Sequence, residues 1–470
     1  MRLVLSAALL GVLVAQCAPA VARLRTEFRD PPRRYAQAPF WFWNGAIRED
    51  GLTEQIRSME AAGIYGFVIH ARMGLAKEVG YMTPRWLELV RFAVEEAARR
   101  GMFVYLYDEG MYPSGSARGK VVEGRPDLAS QGLAMEMTPY TGPVRLRLEA
   151  GLVSAVMLAR HQDGRYRPGG QVLAPGAAVE IPDGEWALFR FRQVPSGGVI
   201  RGVHFDEEDS QPDAPPSADL LNPEATARFL AETHERYYRA LAPHFGNTIR
   251  GIFTDEPNIL GRRARRGLKP WTRGLLPAIS RFLGYDFEPY LPFLWVAAPN
   301  GLETTVRADF ERAVAAALNE SYYRPLSEWC AKHGIALTGH PSGGAEMAPQ
   351  IYFQEPGQDI VWRWVLPGPT SLEREESMTA KTAASMALHL DREIVMNECY
   401  GAYGWRLTVS EMKWLADWLF VRGTNFLMPH AFYYSVEGPR LRERPPDLAW
   451  SNLWWRHYRK FADYTRRMSW

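Results

Sequence analysis

Short apolar runs recur along this chain, and nearly every one ends abruptly in a group that can ionise or hydrogen-bond. The sharpest case is GIFTDEPN at residues 251–258. Gly251, Ile252 and Phe253 have strand character; Asp255 and Glu256 follow at once, and Pro257 cannot continue a ladder. Successive strand residues point to opposite faces, so the two carboxylates are expected to do different jobs. A capping Asp and a solvated Glu would explain one such pair. Recurrence of the layout needs another explanation.

The same ending appears in PFWFWN (39–44), GFVIHAR (66–72), MFVYLYDEG (102–110), GIALTGH (334–340), QDIVW near Asp359, EIVMNE (393–398) and TNFLMPH (424–430). Helical patterns separate them. Leu52, Ile56 and Met59 recur at helical spacing and Gly63 stops that helix; Thr83-Pro84 opens one that runs to Gly101. Asn222-Pro223-Glu224 starts a helix to about Leu241, and residues 304–333, 371–390 and 447–467 read as further helices. Thr408 and Glu411 form a capping box, and Gly423 closes that segment. Strands alternating with helices, without hairpin signals, predict parallel strands with right-handed crossovers. The expectation is an α/β chain folded as a (β/α)8 TIM-type barrel, its chemistry at the C-terminal strand ends. The rhythm breaks at 129–216, where VRLRLE alternates with period two and Pro182-Asp183-Gly184 signals a turn. That stretch predicts a small β-rich insertion after the third strand, with the barrel at 23–128 and 217–470.

The first 22 residues read as a signal peptide: Arg2, an apolar stretch at 3–14, then Ala20-Val21-Ala22. Export, periplasmic or extracellular, is expected. Cys17 offers a lipoprotein alternative, but Gln16 fits that poorly; the segment is too short to span as an anchor. Cys330 and Cys399 alone follow, which excludes a disulfide framework and a cysteine metal site. A formal net charge of +2 gives no electrostatic case for nucleic acid or an anionic membrane. There is no HExxH, phosphate loop or dinucleotide fingerprint. Oligomeric state is not legible.

The strand ends collect Trp43, Asn44, His70, Arg72, Asp108, Glu109, Asp255, Glu256, His340, Asp359, Asn397, Glu398 and His430, with Trp405 following the seventh strand. Each alone has a bland reading as a satisfied core or capping group. Together on one rim they would be costly without a function. Carboxylates on the fourth and seventh strands can bracket a sugar ring, and glycosidic cleavage needs such a pair. Crowding by Asp255 would raise the pKa of Glu256, which suits a general acid, and Glu398 would stay ionised as general base. The His, Asn and Arg side chains would bond hydroxyls, and Trp41 or Trp43 would stack on the ring. Asp108, Glu109 and Asp359 are the candidates for calcium, a cation that takes oxygen ligands. Arg262, Arg263, Arg265 and Arg266 read as a solvated loop, or as a clamp for an acidic sugar.

PFWFWNG, AGIYGFVIHARMGL, GMFVYLYDEGMYPSGSARG, GIFTDEPN, NECYGAYGW and RGTNFLMPHAFYYS together resemble the α-L-rhamnosidase family of glycoside hydrolases, family 106, over about residues 39–470. The resemblance implies a catalytic barrel, an inverting mechanism, calcium dependence and plant or bacterial rhamnosides as substrates. It carries that family's strand-four and strand-seven glutamates onto Glu256 and Glu398. It also implies β-sandwich domains beyond the barrel, whereas this sequence runs to Trp470. Glu346 and Glu355 are further acidic candidates with no assigned place. Two alternatives stay open. In a retaining glycosidase Glu398 is the nucleophile; carboxyl separation distinguishes the two, about 5–5.5 Å for retention and about 6.5–9.5 Å for inversion. In a non-catalytic carbohydrate-binding barrel both glutamates are scaffold.

Overall fold

The computed structural model describes residues 21–470 apart from 162 and 375. The signal peptide and Cys17 lie outside the described residues, save its last two positions. In chain order the strands are β1 Phe40–Trp43, β2 Gly66–Ala71, β3 Phe103–Tyr107, β4 Gln131–Arg147, β5 Ser154–Ala159, β6 Gln171–Leu173, β7 Ala178–Pro195, β8 Ile249–Asp255, β9 Lys269–Trp271, β10 Ala336–His340, β11 Gly357–Ile360, β12 Met396–Cys399, β13 Phe426–Pro429 and β14 Phe432–Tyr433. The chain divides into two compact units.

The first unit gathers the described residues up to Tyr107 with Tyr238–Thr254 and Cys330–Trp470. It is mixed α/β. One six-stranded sheet has the order β10-β8-β3-β2-β1-β14, and a three-stranded sheet has the order β11-β12-β13. β1 pairs parallel with β2 and β14, β2 with β3, β3 with β8, and β12 with β11 and β13. A parallel bridge joins Thr338 to Glu355, just ahead of β11. These strands are buried on both faces, which is why they read as unbroken apolar runs. Alternate residues converge on one core: Phe40, Phe42, Val68, Tyr105, Tyr107, Phe253, Met396 and Met428. The expected eighth strand, 424–430, is β13, and β14 follows it after His430 and Ala431.

Helix starts follow their capping residues. Thr83 accepts from the Trp86 N–H ahead of Pro84–Arg99, and Thr408 and Glu411 close a reciprocal capping box. The closing helix is shorter than its periodicity predicts, Tyr458–Ser469. Asp447, expected to begin it, instead accepts from the amides of Tyr433, Ala449 and Ser451, which turns the chain away from helix.

The second unit comprises Asp108–Tyr237 and Asp255–Trp329. Its sheet is antiparallel, in the order β6-β5-β7-β4-β9, over a core of Leu148, Ala155, Met157, Ile181 and Leu188. So 129–216 is strand-rich, as the period-two pattern predicts, and β9 joins from outside that range. Pro182-Asp183-Gly184 is not a turn between strands. It lies within β7, where Gly184 faces Gly142 across a register shift. A Cβ on Gly142 would sit 1.7 Å from the Pro182 carbonyl oxygen, so the irregular pairing depends on glycine there.

Candidate active site

In the first unit the core-facing positions of the parallel strands end in ionisable groups. His70 follows Val68 in the same alternation and stacks on Tyr107 with ring centroids 3.7 Å apart. Its Nδ1 lies 2.7 Å from the Ala71 carbonyl, so Nδ1 carries the proton and Nε2 is left as a buried acceptor. Burial pushes its pKa well below the usual imidazole value, and Arg72 and His430 push the same way. Arg72 lies over the Phe42 ring at 4.1 Å and donates to Glu443 at 3.0 Å, both groups buried. His430 meets Phe42 edge-on at 4.8 Å.

Glu398 lies two residues after Met396, so it shares the core-facing side of β12. His340, the last residue of β10, places Nε2 3.1 Å from Glu398 Oε2 and Nδ1 3.2 Å from the Pro341 carbonyl. Both ring nitrogens therefore face acceptors, while a neutral imidazole donates from one alone. Asp359 occupies the register position opposite Glu398 on β11. Asn397 pairs in register with Gln358 and points to the opposite face; both amides are buried without a hydrogen-bond partner. Asn397 is thus not brought together with Glu398.

Four other expected contacts have structural occupations. Trp43 is fully buried, edge-on to Trp41 and Trp86, and offers no open face to a sugar. The Trp41 indole donates to Gln55. Asn44 donates to the Ser435 carbonyl at 2.8 Å and accepts from its amide at 2.9 Å, clamping the chain after β14. Trp405 is exposed and its indole donates to the Leu441 carbonyl. Glu355 accepts from Tyr105 at 2.8 Å, and burial raises its pKa to about 7. Burial also raises that of Glu346.

In the second unit the loop after β3 is wrapped around Glu109. Its carboxylate accepts from the amides of Gly110, Gly115, Ser116, Ala117 and Arg118. Burial raises its pKa against the pull of those amides. Asp108 accepts from the Ser114 hydroxyl at 2.6 Å. A carboxylate enclosed by five N–H donors does not fit a cation, which needs the same lone pairs, so calcium on Glu109 is not supported. Nor is this enclosed group turned toward a substrate. Ser114 also donates its amide to the Asp255 carbonyl at 2.8 Å, and its Oγ accepts from the Asp255 amide at 2.7 Å. Glu256 stands at φ 41°, a left-handed conformation uncommon outside glycine, and accepts from the Tyr112 hydroxyl.

The arginine excursion is largely engaged. Arg262 and Arg263 bond the Asp209 carboxylate at 2.6 and 2.9 Å, and Arg265 holds the Pro195 carbonyl. Sequence reasoning missed Tyr112, Ser114 and Glu443. The first two sit in a Gly- and Ser-rich stretch directly after Asp108 and Glu109, which was their available signal; Glu443, in an irregular segment, had none.

Two matched segments, residues 29–110 and 177–469, fit the family model of glycoside hydrolase family 106, described as alpha-L-rhamnosidase. A protein of Formosa agariphila named "Putative beta-glucuronidase" is 21% identical over 506 aligned positions, taking in 96% of this chain and 41% of that protein. The solved structure of a rhamnosidase from Novosphingobium sp. PP1Y superposes with a TM-score of 0.73 at 16% identity, over 95% of this chain and 60% of that one. The chain thus spans under two thirds of either relative. No helix among the described residues is long and apolar enough to cross a membrane.

Proposed function

Because this chain belongs to glycoside hydrolase family 106, the alpha-L-rhamnosidase family, we propose that it is an exported enzyme that hydrolyses terminal α-L-rhamnosides with inversion. Glu256 is the general acid and Glu398 the general base. The observation that carries the reading is the buried Glu398 at a strand end, bonded through Oε2 to His340 Nε2. With Glu398 ionised and His340 Nε2–H donating to Oε2, Oε1 takes the proton from the attacking water. Glu256 protonates the departing glycosidic oxygen. His70 and His430 supply hydrogen bonds to hydroxyls, while Arg72, bound by Glu443, holds the wall beside Phe42.

We also read the two parallel sheets as the wall of one (β/α)8 barrel carrying residues 129–216 as an insertion. Supporting this are the Thr338–Glu355 bridge and the short step of His430 and Ala431 between β13 and β14.

Leaving-group dependence tests the division of labour. An activated aryl rhamnoside releases a phenolate that needs little protonation. Glu256→Gln should therefore retain much of the rate on that substrate and lose ~10²–10⁴-fold on a rhamnosyl disaccharide. Glu398→Gln should lose rate on both, because water must be activated in either case. Losses of a few-fold or less for both variants would reduce the glutamates to scaffold. The anomer released first, followed by NMR, separates inversion from retention.

A further inference from the structure

Tyr112 is held from several sides within the second unit. Its carbonyl accepts from the Arg201 amide at 2.8 Å, and the loop that carries it is wrapped around Glu109. Arg262 lies over its ring at 5.4 Å and is itself bonded to Asp209 at 2.6 Å. Its hydroxyl donates to Oε2 of Glu256, whose backbone stands in the left-handed region. Such a conformation in a non-glycine residue persists where its surroundings enforce it, and this contact is one of them.

We propose that Tyr112 is the positioning residue of the general acid: its hydroxyl occupies Oε2 of Glu256, so the catalytic proton is carried on Oε1. The proposal rests on the assignment of Glu256 as the acid. A hydroxyl donor bonds a carboxylate more strongly than it bonds a neutral carboxyl group. As Glu256 gives its proton to the glycosidic oxygen, the Tyr112 bond strengthens, so it stabilises the transition state more than the ground state. Burial and the neighbouring carboxylates of Glu256 and Asp255 raise the phenol pKa, so Tyr112 keeps its own proton throughout. The charged groups facing it are Glu256, Asp255 and Arg262.

Tyr112→Phe tests this, since the ring and its packing under Arg262 are kept. The pH dependence of kcat/KM is measured for the full chain on an activated aryl rhamnoside and on a rhamnosyl disaccharide, beside Glu256→Gln. We expect the alkaline limb to move up by about one pH unit. We expect about a tenfold loss on the disaccharide and a much smaller loss on the aryl substrate. An unmoved alkaline limb with equal losses on both substrates would overturn the proposal and leave Tyr112 a packing residue. Equal losses on both substrates for Glu256→Gln would instead overturn the acid assignment, and the proposal with it. Melting curves of Tyr112→Phe should match wild type; if they do not, the shift of the alkaline limb alone decides.

Discussion

Asp108-Glu109 and Asp255-Glu256 are the same dipeptide after the same kind of apolar strand, yet their glutamates have different surroundings. The residues just C-terminal to each pair make the difference. After Glu109 come Gly110 and a run rich in glycine and serine, which curls so that five amides meet one carboxylate. After Glu256 comes Pro257, which has no N–H to turn back. Strand-end position is therefore legible in the sequence, while the role of a strand-end carboxylate depends on the amides of the next turn. The same logic bears on calcium, which we propose is held with Asp359 as a ligand and without Glu109. A cation that binds only the folded chain raises its melting temperature. Chelation is expected to lower the melting temperature of wild type and of Glu109→Gln alike, and to leave Asp359→Asn unmoved. Identical melting of wild type in chelator and in excess calcium would count against any such ion.

At the scale of elements, the parallel strands were the most readable part, because a strand buried on both faces leaves an unbroken apolar run. Helix starts were readable where a side chain caps them, as at Thr83, Asn222 and Thr408. Interruptions were not. The helix expected over 304–333 is broken by a π turn at Asn319–Tyr323, and the one expected from Asn222 divides at Thr233. Apolar periodicity hardly changes across such breaks, so it does not report them. Glycine within β10 was equally silent in the sequence. Gly339 has φ +114°, and a Cβ there would lie 2.0 Å from the Thr254 carbonyl oxygen of the neighbouring strand β8. Gly339→Ala should destabilise by at least ~2 kcal/mol, through the backbone conformation and the collision together. It should also cost activity, because His340 is the next residue. Gly151→Ala, where a Cβ meets nothing within 4 Å, is the control and should melt as wild type does. Equal melting temperatures for the two variants would contradict the close approach of β8 and β10.

For the molecule as a whole, buried titratable groups of opposite sign set how stability responds to pH. Burial raises Glu355 from 4.5 to about 7, and raises Asp447 and Asp219 from 3.8 to about 6. A carboxyl group whose folded pKa is raised binds its proton more tightly in the folded chain. Its contribution is complete below the unfolded pKa and is lost as pH rises to the folded one. These three groups therefore weaken the fold between about pH 4 and pH 7. His70 acts the other way. Its folded pKa is depressed below 6.5, so the unfolded chain takes up a proton that the folded chain refuses, and stability falls as pH drops through 6.5. The two trends oppose each other in the same window, which flattens the wild-type curve and hides both. Glu355→Gln separates them, because the amide resembles the neutral acid at every pH and can still accept from Tyr105. The stability of this variant relative to wild type should rise between pH 4.5 and pH 8, by up to about 3 kcal/mol. Denaturant midpoints measured across that range check the slope. A difference that stays constant with pH would mean that Glu355 does not titrate within it, and that its bond to Tyr105 is made by a carboxylate throughout.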